Sequence, residues 1–239
     1  MNILVDIIVV AMLILGIVVG QKKGLIKTAV GLIGLVAVVI ISYTLRVPLA
    51  NLLIDKMPFF DFNGLPSLSI LLYNVIAFVV VFVVLYSILS IILSLTKFVD
   101  TLLKLTVIWI IPSKIGGAII GFLETWVYLF LILFVMVQFN VSAAWVKDTT
   151  VAKVILDHTP IVGSFMNESK EAAKDIYKSM DEMSKDETKT QDDINLRILQ
   201  YEIIHGLVSK EKAQELVETG KVKLDNVLFG KAKELWLNI

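Results

Sequence analysis

Four stretches of the chain are apolar on every helical face rather than on one stripe: about 3–19, 25–45, 68–96 and 114–140. A helix crossing hydrocarbon about 30 Å thick needs roughly 20 such residues. Each stretch is therefore predicted to be a membrane-spanning helix. The first carries no positive charge ahead of it; Lys22 and Lys23 follow it. That is the reverse of a secretory leader, so it reads as a retained span. The second is expected to run from about Leu25 to Leu45, with Pro48 following it, and Pro112 precedes the fourth, where a helix start does not need the missing N–H. The third is longer than hydrocarbon requires, which predicts tilt or an end among the headgroups.

Between the third and fourth spans the pattern changes to a stripe. Leu102, Leu105, Ile108 and Trp109 recur at helical spacing, with Asp100, Thr101 and Lys104 elsewhere. This predicts a short amphipathic helix lying in the interface, a partial fifth span being the alternative. After Lys147 the charges return. Residues 141–193 read as a charged helical spacer, with Asn167–Asp186 a solvated helix and Asp186–Asp193 a flexible joint. Residues 194–239 read as a small helical module with Ser209 as an N-cap, Gly220 as a stop and Asp225 capping a last short helix. The predicted fold class is all-α: a polytopic membrane domain over 1–140 followed by a helical tail.

Composition changes the picture mainly by exclusion. The 239 residues are 57% hydrophobic and 18% charged, more apolar than an ordinary soluble domain. With no cysteine, disulfides, thiolate metal sites and a thiol nucleophile are excluded. His158 and His205 stand alone in the tail and read as ordinary tail residues. No phosphate-binding glycine loop, HExxH, GxSxG or His-backed carboxylate pair occurs, so no enzyme, metal or cofactor is predicted. Basic and acidic residues are interleaved, which leaves no footprint for nucleic acid. Lys22, Lys23, Lys27, Lys97, Lys104 and Lys114 flank the first and third connections, against Arg46, Lys56 and Lys147 on the other side. This bias predicts cytoplasmic first and third connections, with Lys22 and Lys23 forming a cytoplasmic basic turn. The N-terminus and the tail are then extracytoplasmic.

Two kinds of residue stand out inside the spans. Gly16, Gly20 and Gly24 repeat every four residues, as do Gly117, Gly121 and Thr125, and Gly31 and Gly34 add a smaller notch. Small residues on one face allow backbones to approach, so these predict a helix-packing seam, within one bundle or between copies. Asp6, Asn74 and Glu124 are polar side chains within the spans. Ionisable groups there are functional candidates. Asp6 also suits the first turn of a helix, where the dipole favours an acid. Glu124 needs either a partner from another helix or, as a protonated acid, a hydrogen bond to Asn74 or Thr28. The aromatic residues Tyr43, Phe59, Phe60, Tyr73, Trp109 and Trp145 fall near predicted span ends.

The opening from Asp6 to Val36 has an acid at the head of span one, Gly20 and Gly24 bracketing a basic turn, and a glycine-bearing second span. Ile115–Trp126, IGGAIIGFLETW, forms a second glycine-rich block. In this order and spacing the two resemble the colicin V production protein family over about residues 1–140. Where that family often has a basic residue near Val19, and a basic–glycine pair at Glu124 and Thr125, this chain departs from it. The resemblance implies a bacterial cytoplasmic-membrane protein with four spans and no catalytic residues. Its implied role is accessory, linked to bacteriocin production or export and to envelope maintenance. The expected partners are the lipid bilayer and, through the tail, a second copy or envelope and export proteins. An oligomeric channel or transporter subunit, with Glu124 near the path, is the alternative.

Overall fold

The computed structural model describes residues 3–95, 110–139, 149–186, 188–225 and the single positions 228 and 230. Among these residues the secondary structure is all helical. Four long helices come first: α1 (Ile3–Lys23), α2 (Leu25–Lys56), α3 (Leu68–Leu95) and α4 (Ile110–Gln138). All four are long and apolar enough to cross a membrane. Five shorter helices follow: α5 (Thr150–His158), α6 (Val162–Phe165), α7 (Asn167–Ser184), α8 (Gln191–Ile204) and α9 (Lys210–Glu218). The interfacial helix expected at 98–111 lies outside the described residues, except its last two, which open α4. Of the short helix expected after Asp225, only positions 228 and 230 are among the described residues.

One boundary differs from expectation. Pro48 does not end the second helix; α2 continues to Lys56. A proline inside a helix removes one hydrogen bond, here the one that Thr44 C=O would accept. The helix survives because its last turns are packed: Ala50 and Ile54 are fully buried in an apolar cluster. At 32 residues α2 exceeds what hydrocarbon needs.

The chain divides into two compact units. The first comprises residues 1–44, 79–137 and 141–165; the second comprises 45–78, 138–140 and 166–239. They do not follow a serial division at residues 140 and 193, because segments distant in sequence pack together. In the first unit, α1 ends at Gly24, whose φ of +83° supplies the left-handed turn that lets α2 begin one residue later. In the second unit, the ends of α2 and α3 share a core with the tail. Ala50, Ile54, Ile70, Tyr73 and Ala77 pack with Leu196, Leu199 and Ile203 of α8 and with Ala213 and Leu216 of α9.

The tail is more ordered than its composition suggested. The expected solvated helix, α7, has a buried stripe of Ser169, Ala172, Ala173, Ile176 and Ser179. Small residues conceal that stripe from a hydropathy count. The expected flexible joint ends in a capping box: Thr190 accepts from the Asp193 N–H while the Asp193 carboxylate accepts from the Thr190 N–H. Helix α8 therefore starts at Gln191. Ser209 caps α9 by accepting from the Lys212 N–H, and Gly220, at φ +73°, follows its end.

Candidate functional site

Helices α1 and α4 of the first unit run antiparallel with their backbones in contact. A Cβ added at Gly20 would land on the Gly117 carbonyl oxygen and lie 2.8 Å from the Gly121 Cα. One at Gly16 would meet Thr125, and one at Gly24 the Ser113 hydroxyl. That same hydroxyl accepts the Leu25 N–H at 3.2 Å. So Gly16, Gly20 and Gly24 face Thr125, Gly121, Gly117 and Ser113 within one chain. Gly31 and Gly34 belong to other contacts: Gly31 faces the Glu124 carboxylate, and Gly34 the Leu89 side chain.

The four-residue spacing also sets the polar contact beside this seam. Lys23, the last residue of α1, places its ammonium 3.6 Å from Glu124 Oε2. Of the two alternatives, the contact is with another helix, through a lysine of the basic turn, rather than with Asn74 or Thr28. The Thr28 hydroxyl instead donates to the Gly24 carbonyl. Gly31 of α2 lies beside the carboxylate, where an added Cβ would stand 3.4 Å from Glu124 Oε1. Lys22 is exposed. Deeper in this unit the Tyr86 and Tyr128 hydroxyls are 2.6 Å apart.

Asp6 performs a task that its position in sequence does not reveal. Its carboxylate accepts the Val151 N–H at 3.1 Å. Thr149, the residue before α5, makes no side-chain cap. Asp6 therefore caps α5 from across the unit, placing an acid at the positive end of that helix.

The second unit contains a buried polar cluster that sequence reasoning missed. The first N–H groups of a helix have no partners within it; those of Leu68, Ser69 and Ile70 in α3 donate to the Leu65, Pro66 and Ser67 carbonyls, and α8 supplies the acceptors for Ser67 and Leu71. The Ser67 N–H and hydroxyl donate to Asn195 Oδ1 at 3.3 and 2.6 Å. Asn195 Nδ2 donates to the Gly64 carbonyl at 2.7 Å. The Leu71 N–H donates to Glu202 Oε1 at 3.1 Å. Glu202 is fully buried, and its other oxygen has no hydrogen-bond partner among the described residues. Burial pushes its carboxyl well above the usual carboxylate range, against the opposing pull of the Leu71 N–H. Tyr177, which donates to the Gln138 carbonyl at 2.8 Å, is pushed up to about 12 by burial and by the neighbouring Glu202.

Asn74 belongs to this cluster. Its amide donates to Ile70 O in its own helix and to Leu207 O at 3.0 Å, just beyond α8. It thus ties the third span to the tail. The missed residues left one legible signal. Asn195 and Glu202 are seven apart, two helical turns, so they share a face of α8 with the aliphatic Leu199 between them. Polar groups that share a buried face ask for partners. His205, on the same helix end, pairs with Asp175 of α7 at 3.1 Å, while His158 is exposed. Among the described residues no group of His, Asp and Glu is arranged to hold a metal.

An all-helical chain with four apolar spans, a glycine-lined contact between its first and fourth helices and no strand among the described residues is a multi-pass membrane protein. It matches the Colicin V production protein family over residues 5–160 and belongs to that family. The match extends past the spans to take in α5, the helix that Asp6 caps. The chain is 30% identical over 182 residues to a Bacillus subtilis (strain 168) protein named "Uncharacterized transmembrane protein YshB", covering 69% of this chain and 96% of that protein. No solved structure matches.

Proposed function

We propose that the chain is a non-enzymatic accessory protein of the bacterial cell membrane. In this reading it serves bacteriocin production or export and the upkeep of the envelope, and other envelope or export proteins dock on its tail unit. The observation that carries the reading is the way that unit is built. Asn195 and Glu202 hold α8 to the first turns of α3, and the apolar faces of α8 and α9 are spent on a shared core. What remains outside is a charged surface, with Lys174 on Glu171, Lys178 on Glu182 and Lys185 on Asp181 along α7. A rigid, polar, membrane-tethered surface suits reversible contact with a partner better than it suits chemistry. The lysine bias of the loops supports an extracytoplasmic tail.

The test is complementation. A strain lacking the chain receives either the wild type or a variant with Glu171, Lys174, Lys178 and Glu182 all changed to serine. The reading expects both to be made at equal level and fold alike, but only the wild type to restore toxin export and envelope resistance. Full restoration by the variant would remove the tail surface from the function.

Glu124 motivates a second reading, an oligomeric channel or transporter subunit. The glycine faces that would join copies are occupied inside one chain, and Glu124 has a lysine partner there. Liposome flux abolished by Glu124→Gln would put the channel reading first.

A further inference from the structure

The segment after α5 occupies an unusual place. Helix α5 starts beside the first turn of α1, where Asp6 accepts the Val151 N–H. One helix length later the Trp126 indole donates to the Thr159 hydroxyl at 2.9 Å. Trp126 stands near the centre of the span Ser113–Gln138, about 18 Å from either end at a rise of ~1.5 Å per residue. A Cβ at Gly163 would lie 3.8 Å from the Phe130 ring, one turn from Trp126. The Phe165 ring meets Tyr43 of α2 edge-on at 6.3 Å. Three contacts, to two different spans, thus place residues 159–165 alongside the interior of the helices.

Part of the turn's backbone is paired within the turn itself. Backbone groups in hydrocarbon must find partners within the protein. Pro160 brings no N–H. The Val162 N–H donates to the Pro160 carbonyl at 2.7 Å, and the Phe165 N–H to the Ile161 carbonyl at 3.0 Å. The Thr159 hydroxyl donates to Ile155 O while accepting from Trp126. Ile161 sits at φ +61°, a conformation that β-branched residues avoid and that glycine or asparagine usually fills in water. Yet its side chain points outward, 61% exposed, with Phe165 50% exposed nearby. The polar residues Lys153, Asp157 and His158 lie exposed on α5, the last two directly before the turn.

We propose that residues Thr159–Phe165 form a re-entrant turn lodged among the acyl chains of the bilayer, with Ile161 and Phe165 facing lipid. The first part of the tail is then a membrane element rather than a linker in water. An outward isoleucine in a strained turn is costly in water, but it is suited to a surface whose solvent is hydrocarbon.

Because the chain has no cysteine, single cysteines report position directly. Ile161→Cys and Phe165→Cys, in the full chain reconstituted into phosphatidylethanolamine–phosphatidylglycerol vesicles, are labelled with bimane. Ile33→Cys on the exposed face of α2 serves as the lipid reference and Lys189→Cys as the water reference. The proposal expects both test positions to be quenched by a mid-chain nitroxide lipid to the extent of Ile33→Cys, and to be spared by aqueous iodide. Quenching by iodide at the level of Lys189→Cys overturns it, as does insensitivity to both quenchers. Should Ile161→Cys disturb the turn, Phe165→Cys decides alone, with the tryptophan emission of the unlabelled variant as the check on folding.

Discussion

The two units of this protein hold together by different physics. In the first, α1 and α4 meet backbone to backbone, through glycines that leave no side chain between them. In the second, Ile54, Ile70, Leu199 and Leu216 fill a core of large aliphatic side chains, and buried amides and a carboxyl close the helix ends. The difference follows from the solvent each solution suits. Hydrocarbon gives leucine no reason to leave it, so spans associate through close contact and shape. Water drives aliphatic side chains together at roughly 25 cal/mol per Å² of apolar surface removed. The first unit should therefore be sensitive to added volume, and the second to lost volume and to changed polar groups.

The largest expected effect tests the first half of that contrast. Gly121→Leu places a side chain where the Gly20 backbone already lies, with a Cβ 2.8 Å from the Gly20 Cα. Overpacking against movable side chains costs typically ~1–3 kcal/mol; against backbone the helices must separate. The expected outcome is loss of folded protein in detergent, seen as aggregation on size exclusion, rather than a mere change of oligomer mass. Gly34→Ala sharpens the point. Its new Cβ meets only the end of Leu89, which can rotate away, so stability should change by less than about 1 kcal/mol. Equal tolerance of both changes would deny that α1 and α4 meet through backbone.

Glu202 gives the next largest effect and carries a sign. Its carboxyl is raised in the folded state above its ordinary value of 4.5. Between the two values the folded state binds more protons than the unfolded one, so stability falls as pH rises through that window. The maximal slope is about 1.4 kcal/mol per pH unit. Below the ordinary value the contribution is fully present, and above the raised value no further loss occurs. Pulse proteolysis of the tail from about pH 5 to pH 8 should show that decline. Glu202→Gln, which can still accept the Leu71 N–H, should flatten it. An unchanged slope in the variant would assign the titration to another group.

How much of this was legible in the sequence follows from the same contrast. Spans are visible because lipid demands long uninterrupted apolar runs, and all four were found. The glycine repeats were visible for the same reason, since few other residues permit such contact. The tail was harder. Its buried stripe on α7 has only one large apolar residue, Ile176, beside the small Ser169, Ala172, Ala173 and Ser179. The second span was expected to end near Leu45, ahead of Pro48, but the packing of Ala50 and Ile54 outweighs one lost hydrogen bond and α2 runs on. Asn195, Glu202 and the Asp6 cap depend on contacts more than a hundred residues apart, which no local pattern encodes. The Lys23 partner of Glu124 follows from the antiparallel register of α1 and α4, which the repeats alone do not specify.

Asn195→Ala comes third. It removes the acceptor for the Ser67 N–H and hydroxyl and the donor to Gly64 O, leaving buried groups without partners. A lost cap costs ~0.5–2 kcal/mol, and a stranded buried group ~1–3 kcal/mol. Denaturant unfolding of the second unit should lose about 2 kcal/mol, with α1 and α4 unaffected. Asn195→Asp should recover part of this, since it keeps the acceptor and loses only the donor. If both variants cost the same, the Gly64 contact is the one that matters.

The smallest effect belongs to the Lys23–Glu124 pair, and it separates a lock from a pathway. The lysine side chain is 40% exposed and the carboxylate oxygen lies 3.6 Å away, so water or headgroups screen the attraction. Pairs of that kind are worth ~0–1 kcal/mol. Lys23→Met and Glu124→Gln should each cost little, and a double-mutant cycle should return a coupling below about 1 kcal/mol. The seam beside them is closed by glycine backbone and does not depend on the charge. A structural pair therefore predicts intact mass and unchanged vesicle permeability in both single variants. Conduction through this site would instead make Glu124→Gln change the flux while leaving stability alone. The two measurements, made on the same preparations, distinguish a charge that merely decorates a glycine seam from one the membrane tolerates because something passes it.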